Sequence, residues 1–202
     1  VTVCSCSSAN SSNENNGGGN GGGTTVTAKP RYIWIDAAAN FPEFANSKDN
    51  IRRDLTKAKE AGFTDVVVDV RPTMGDVLFQ SSYVDQVTKL DYWASDGSYK
   101  FFQRTATWDY LQAFIDIGHE LGLKVDAAIN TFVGGNLYPY GLGEQGMVFR
   151  DEDKKSWVTT LNIRKGLTNE MDLTTTDPTD AYYYGTKFLN PCNDEVQQFV
   201  LN

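Results

Sequence analysis

The chain has 202 residues, 40% hydrophobic, 12% aromatic and 22% charged, with a formal net charge of −8. That length buries a sizeable core in one or two domains, while the acidic balance excludes a nucleic-acid binder, which needs a basic face to neutralise phosphates. No apolar run approaches the roughly eighteen residues of a membrane span, and three cysteines are too few for a disulfide scaffold.

Residues 1–30 read as a separate segment. From Asn10 to Gly23 the chain is almost wholly Asn, Ser and Gly, a composition that cannot offset its ordering entropy and reads as a disordered tether. Ahead of it, Val3-Cys4-Ser5-Cys6 has the shape of a bacterial lipoprotein cleavage site, with an aliphatic residue, a small residue and then the cysteine to be lipidated. Cys6 is the expected lipid-bearing residue. The alternative is a disordered terminus with two idle thiols. A Cys4–Cys6 metal site finds no second ligand pair.

Residues 31–202 show strand–helix alternation. Tyr32 to Ala39 is strand-like, and Ser47 to Ala61 reads as a helix with Ile51, Leu55 and Ala58 as its stripe and Gly62 as its stop. Thr64 to Arg71 is a β-branched strand ending at Pro72, Trp108 to Leu121 a second helix, and Leu123 to Phe132 a third strand. Residues 193–202 open a third helix, which stops at Asn202 with no C-cap and gives the chain the look of a fragment. Such alternation implies a parallel sheet with right-handed crossovers. A doubly wound sheet and a (β/α)8 barrel both begin this way. No phosphate-binding glycine signature follows the first strand, so the expectation is α/β, the first three βα units of a TIM barrel.

Side-chain parity locates the candidate site. Val66, Val68 and Val70 share one strand face, and Val67, Asp69 and Arg71 the other. The first strand turns Trp34, Asp36 and Ala38 the same way, and the third turns Asp126, Ala128 and Asn130. Barrel interiors are ordinarily filled by branched apolar side chains, and lone buried charges are costly. Polar residues gathered at the C-terminal strand ends therefore read as the floor of a site. For any one of them, a structural role in bonding neighbouring strands is the competing reading.

The long stretches 72–107 and 133–192 carry Tyr92, Trp93, Tyr99, Tyr138, Tyr140, Trp157 and Tyr182-Tyr183-Tyr184. Flat rings with polar handles suit stacking on sugar faces, although long loops also use aromatics for small cores of their own. His119 is the only histidine and lies within a helix, which leaves a zinc hydrolase site little support. Neither a nucleophile-elbow serine nor a partner base for Cys192 is evident. No cofactor is expected, and carboxylate chemistry is what is left.

Several segments resemble the glycosyl-hydrolase-like family 10. Arg31-Tyr32-Ile33-Trp34-Ile35-Asp36 is similar to its first strand, and Ala61-Gly62-Phe63-Thr64 through Asp69-Val70-Arg71-Pro72 to its second. Asp76 and Tyr83, Glu120 through Ala127, Lys155-Ser156-Trp157 and Phe188-Leu189-Asn190-Pro191 resemble later steps. The resemblance implies a barrel acting on an extracytoplasmic glycan by acid/base chemistry, with the main catalytic carboxylate beyond Asn202. On that reading Asp36, Asp69, Arg71, Asp76, Asp126 and Asn130 bind or support substrate. Arg71 would steer Asp69 or grip substrate oxygens through its planar fork. The other expectations are a non-catalytic glycan-binding surface lipoprotein, touching the membrane only through a lipid anchor, and an inactive fragment.

Overall fold

The computed structural model describes the backbone of residues 2–5, and residues 29–72, 74–163 and 166–202. Cys6 and the Asn/Ser/Gly stretch lie outside the described residues.

In chain order the elements are β1 (Thr2–Ser5), β2 (Tyr32–Ile35), α1 (Phe41–Phe44), α2 (Lys48–Glu60), β3 (Asp65–Arg71), β4 (Lys89–Trp93), β5 (Tyr99–Gln103), α3 (Tyr110–Glu120), β6 (Lys124–Ile129), β7 (Val133–Tyr138), β8 (Gly143–Gln145), α4 (Met147–Arg150), β9 (Thr160–Ile163), β10 (Gly166–Asn169), β11 (Thr186–Phe188) and α5 (Asp194–Leu201). Two 3-10 turns, Glu152–Trp157 and Glu170–Asp172, join the later ones.

β2, β3 and β6 form a parallel sheet with β3 at its centre, where Tyr32 pairs with Asp65 and Val67 with Asp126. The crossover helices are capped as their sequences require. Ser47 Oγ accepts from the Asn50 amide at 3.1 Å, and Asp109 Oδ1 accepts from that of Gln112 at 2.9 Å. Both helices cover the same sheet face. Ile35, Val66, Val68, Val70, Val125 and Ala127 pack there against Ile51, Leu55, Phe114 and Ile117. Gly118 makes the close approach possible, since a Cβ on it would lie 2.5 Å from Val125 Cγ2. The opposite face carries Trp34, which is 49% exposed, with Val67, Asp126 and Ala128 buried.

The expected barrel portion is corrected here. The outer edge of β6, where a barrel would add its next parallel strand, is taken by β1 running antiparallel, with Thr2 opposite Ile129 and Ser5 opposite Asp126. The segments after β3 and β6 contribute no parallel strand. They fold into separate antiparallel sheets, β4–β5, β11–β7–β8 and β9–β10; β4–β5, β7–β8 and β9–β10 join neighbouring strands through short turns without a crossover, while β11 returns from far along the chain to pair with β7. A barrel needs one continuous tilted sheet with a consistent stagger. This chain has four small ones among its described residues, a mixed and β-rich arrangement.

The first and last expected elements change for local reasons. β2 stops at Ile35, because Asp36 Oδ1 accepts the amides of Ala38 and Ala39 at 2.9 and 2.7 Å and turns the chain into α1. Helix α5 does not cross back over the parallel sheet. Its Val196 is buried with Met147, Val148, Val158 and Leu189 in a second core, where Trp157 Nε1 donates to Glu195 Oε2 at 2.6 Å.

One buried cation organises the 170–187 region. Lys187, with no exposed surface, donates from Nζ to the carbonyls of Glu170, Leu173 and Tyr184 at 2.7–2.8 Å. Glu170, also buried, accepts the Phe188 amide through Oε2 at 2.8 Å.

Candidate functional site

The β4–β5 hairpin presents two faces with different duties. Asp96 and Gly97 make its turn, with Gly97 at φ +78° and the Ser98 amide donating to Asp96 Oδ1 at 2.9 Å. Leu90 and Phe102 pair across the strands and pack into the main core, where Phe102 meets Phe41 edge-on at 6.2 Å. The alternate residues Lys89, Asp91, Trp93, Tyr99 and Phe101 point the other way.

On that second face the rings form a connected group. Trp93 and Tyr99, paired across the hairpin, have centroids 5.0 Å apart, and Tyr140 lies 6.0 Å from the first and 5.6 Å from the second. Trp93 is 63% and Tyr140 60% exposed. Tyr140 sits at φ +58°, a left-handed conformation that strains a side-chain-bearing residue. Beneath them the Tyr99 hydroxyl donates to Asp91 Oδ2. Burial, that bond and the Asp91 charge push the tyrosine's ionisation far above its ordinary range. Asp91 Oδ1 is buried with no hydrogen-bond partner among the described residues.

Asp91, Tyr92, Trp93 and Tyr99 line a cleft of about 590 Å3, together with Asp36, Ala38, Ala39 and Pro42 just after β2. The cleft thus joins one expected site residue, Asp36, to the aromatic face of the hairpin. Asp69 stands nearby in the electrostatic sense. Burial pushes its carboxyl up to about 6, the Arg71 amide bonded to its Oδ1 at 3.3 Å opposes this, and the Asp36 charge adds to it. Both acids also act on the Tyr110 hydroxyl, which is fully buried with no hydrogen-bond partner among the described residues.

The other expected site residues are placed elsewhere. The Arg71 guanidinium donates to the carbonyls of Gly75, Thr131 and Val133 at 2.9, 2.5 and 2.8 Å, so it ties two loops together and touches Asp69 only through its backbone. Burial lowers this guanidinium to about 10 despite the favourable charge of Asp76. Asn130 donates to the Arg71 carbonyl at 3.0 Å. Asp76 is held by Arg150, and Asp126 is buried in β6 beside β1. Of the six, then, only Asp36 lines the aromatic cleft.

Several aromatics singled out by sequence are structural. Tyr138 is buried edge-on against Phe101 at 5.0 Å, and Trp157 packs on Phe199 at 5.6 Å. Sequence reasoning passed over Asp91. The signal that could have found it is Asp96-Gly97, a hairpin turn flanked by alternating apolar residues. Among the described residues no group of three or more His, Cys, Asp or Glu could hold a metal ion, and no helix is long and apolar enough to cross a membrane.

Comparison with known proteins corrects the family resemblance. No family model matches the chain, and no solved structure matches it. The chain is 29% identical over 177 residues to an S-layer-related protein of Niallia circulans. The match covers 87% of this chain, which spans about a tenth of that protein's length (10%). The separate small sheets and this similarity replace the expected place among barrel-type glycosidases, and the hydrolase label that came with it. Individual segments such as Thr64 to Arg71 resembled that family because a β-branched strand followed by a polar end suits any buried parallel strand.

Proposed function

We propose that this chain is a non-catalytic glycan-binding domain of a protein displayed outside the cytoplasm. The observation that carries the reading is the connected Trp93–Tyr99–Tyr140 ring group, with Trp93 and Tyr140 largely exposed, at the mouth of a cleft that Asp36 also lines. A sugar ring is its complement, with a C–H face that covers aromatic surface and hydroxyls that bond polar groups at the edge. The cleft volume of about 590 Å3 lies within the ordinary range of small-molecule sites.

An extracytoplasmic place accords with the S-layer-related description of the similar protein. A lipid on Cys6 is the finer form of the same proposal, tested by the intact mass of that residue's peptide from the native host.

The experiment is affinity electrophoresis of the chain through gels containing neutral soluble polysaccharides (dextran, mannan, β-glucan, glycol chitin). Retardation is expected in at least one gel, with no new reducing ends formed. Trp93→Ala should weaken it about tenfold, near 1.4 kcal/mol. Free migration in every gel, or undiminished retardation of the variant, rejects the reading.

A further inference from the structure

The aromatic cleft is lined by two carboxylates and no cation. Asp36 and Asp91 stand there with Tyr92, Trp93 and Tyr99, and the other lining residues are uncharged. Lys100 lies close by, with Nζ 5.9 Å from the Tyr92 ring centroid, but it already pairs with Asp96 Oδ2 at 3.7 Å.

The two acids differ in what they offer a ligand. Asp91 has one oxygen bonded to the Tyr99 hydroxyl and the other sealed from solvent, so it contributes charge without contact. Asp36 is held by its turn. Its Oδ1 accepts the amides of Ala38 and Ala39 at 2.9 and 2.7 Å, and its own amide donates to Asn40 Oδ1 at 2.8 Å. The carboxylate is therefore fixed before any ligand arrives. Its Oδ2 accepts no hydrogen bond among the described residues, yet it is not one of the buried atoms left without a partner. That oxygen is accessible and free to accept.

A fixed acceptor asks for a donor, which either a hydroxyl or an ammonium supplies. Charge decides between them. A cleft lined by one sign of charge between apolar walls focuses its field and favours the opposite sign. A hydroxyl leaves both carboxylates uncompensated, and an anionic sugar is repelled. An ammonium makes a charge-assisted bond to Asp36, stronger than a neutral one. Aromatic faces attract cations as well, Trp most of all, and Trp93 is 63% exposed.

We propose that the cleft selects glycans carrying a free amine, with a sugar ring on Trp93 and its ammonium on Asp36 Oδ2. Asp36 is the residue that sets this specificity, and neutral glycans bind there more weakly. The selection rests on the glycan reading of the same cleft and adds the charge of the ligand to it.

The test is an NMR titration of the isotopically labelled chain, followed at the Trp93 indole N–H, in about 0.15 M salt to screen long-range attraction and at a mildly acidic pH that keeps a sugar amine protonated. The ligands are β-1,4-linked tetrasaccharides of glucosamine, N-acetylglucosamine and glucose, which share a backbone. The glucosamine ligand should bind at least about tenfold more tightly than either neutral one. Asp36→Asn keeps an oxygen for the Ala38 and Ala39 amides and removes only the charge, so it should bring that ratio to within about twofold. Glu60→Gln makes the same change in net charge at an exposed residue of α2 outside the cleft and should preserve the preference. In the wild type the Ala38 and Ala39 amides, bonded to the same carboxylate, should shift further with the glucosamine ligand than with the neutral ones, and they decide should Asp36→Asn unfold. Neutral ligands that bind as tightly as the glucosamine one would overturn the selection and leave the glycan reading standing, as would a preference that survives in folded Asp36→Asn or vanishes in Glu60→Gln. No shift with any tetrasaccharide would overturn it too, and the polysaccharide gels then decide the glycan reading separately.

Discussion

Arg150 grips Asp76 with both terminal nitrogens, Nη1 to Oδ2 and Nη2 to Oδ1, each at 3.1 Å, across 74 residues of sequence. The aspartate is 7% exposed at its side chain and the arginine 41%, so the bond joins a buried acid to a partner that still meets water. Burial raises the Asp76 carboxyl, and Arg150 pulls it back toward the ionised form. Removing the acid leaves Arg150 solvated, whereas removing the arginine strands a buried charge. Asp76→Ala should therefore cost about 2 kcal/mol. Arg150→Ala should cost more, because it leaves the uncompensated charge. Urea unfolding of both variants checks the order, and equal losses would refute it.

Asp69 gives a pH signature of its own. Its folded-state value of about 6 lies above the ordinary carboxyl value of 3.8, so the folded chain holds this proton more tightly than the unfolded chain does. The associated stability is fully present below about pH 4 and is lost as pH rises through about 6. Asp69→Asn cannot lose a proton and can still accept the Arg71 amide. It should match the wild type near pH 4 and be more stable at pH 8, as thermal melts at the two pH values would show.

Gly146 cannot carry a side chain. Its φ is +103°, and a Cβ there would lie 2.1 Å from the Met74 carbonyl oxygen and 2.5 Å from Gly135 Cα. The 74–75 turn, β7 and the start of α4 would all have to move. Gly146→Ala should lose at least about 2 kcal/mol, and chemical denaturation measures it. A loss below 0.5 kcal/mol, the usual range of surface changes, would show that these segments yield easily.

Lys187 is a third point of long-range control. Replacing it by Met keeps much of the volume but leaves three carbonyl acceptors without their donor. The expected loss is about 3 kcal/mol, with protease cleavage appearing first between residues 170 and 186. Buried amines resist acylation, so Lys187 in the wild type should be the last lysine labelled by an amine-reactive ester. Mass spectrometry reads that order directly.

What could be read from sequence was what local chemistry determines. The alternation of Val66, Val68 and Val70 against Val67, Asp69 and Arg71 separates the helix-facing side of β3 from the other. Ser47 and Gly62 bound α2 through a cap and a left-handed stop. The barrel expectation failed at places that local patterning does not govern. The partner on the outer edge of β6 comes from residues 2–5, far away in sequence. Asp36, whose strand position pointed it inward, spends its Oδ1 on a turn. Arg71 read as a site residue from its inward parity at the strand's C-terminal end and Asp76 from the family resemblance, but their partners at residues 131, 133 and 150 are set by tertiary packing. The aromatic cleft was half legible. Trp93, Tyr99 and Tyr140 were singled out as ring residues, while Asp91 emerges only once the hairpin register places it beneath them.

The pleat of β4 and β5 has a consequence for how this surface can vary over time. Leu90 and Phe102 anchor the hairpin, Asp91, Trp93 and Tyr99 meet the cleft, and Tyr92 does both, lining the cleft while its ring meets Phe102 edge-on at 6.0 Å. Adjacent codons therefore answer to different selective pressures, one to folding and the next to recognition. A lineage can exchange the odd positions to follow a changing ligand while the even ones hold the scaffold still, so new specificity arises here without first passing through an unfolded ancestor.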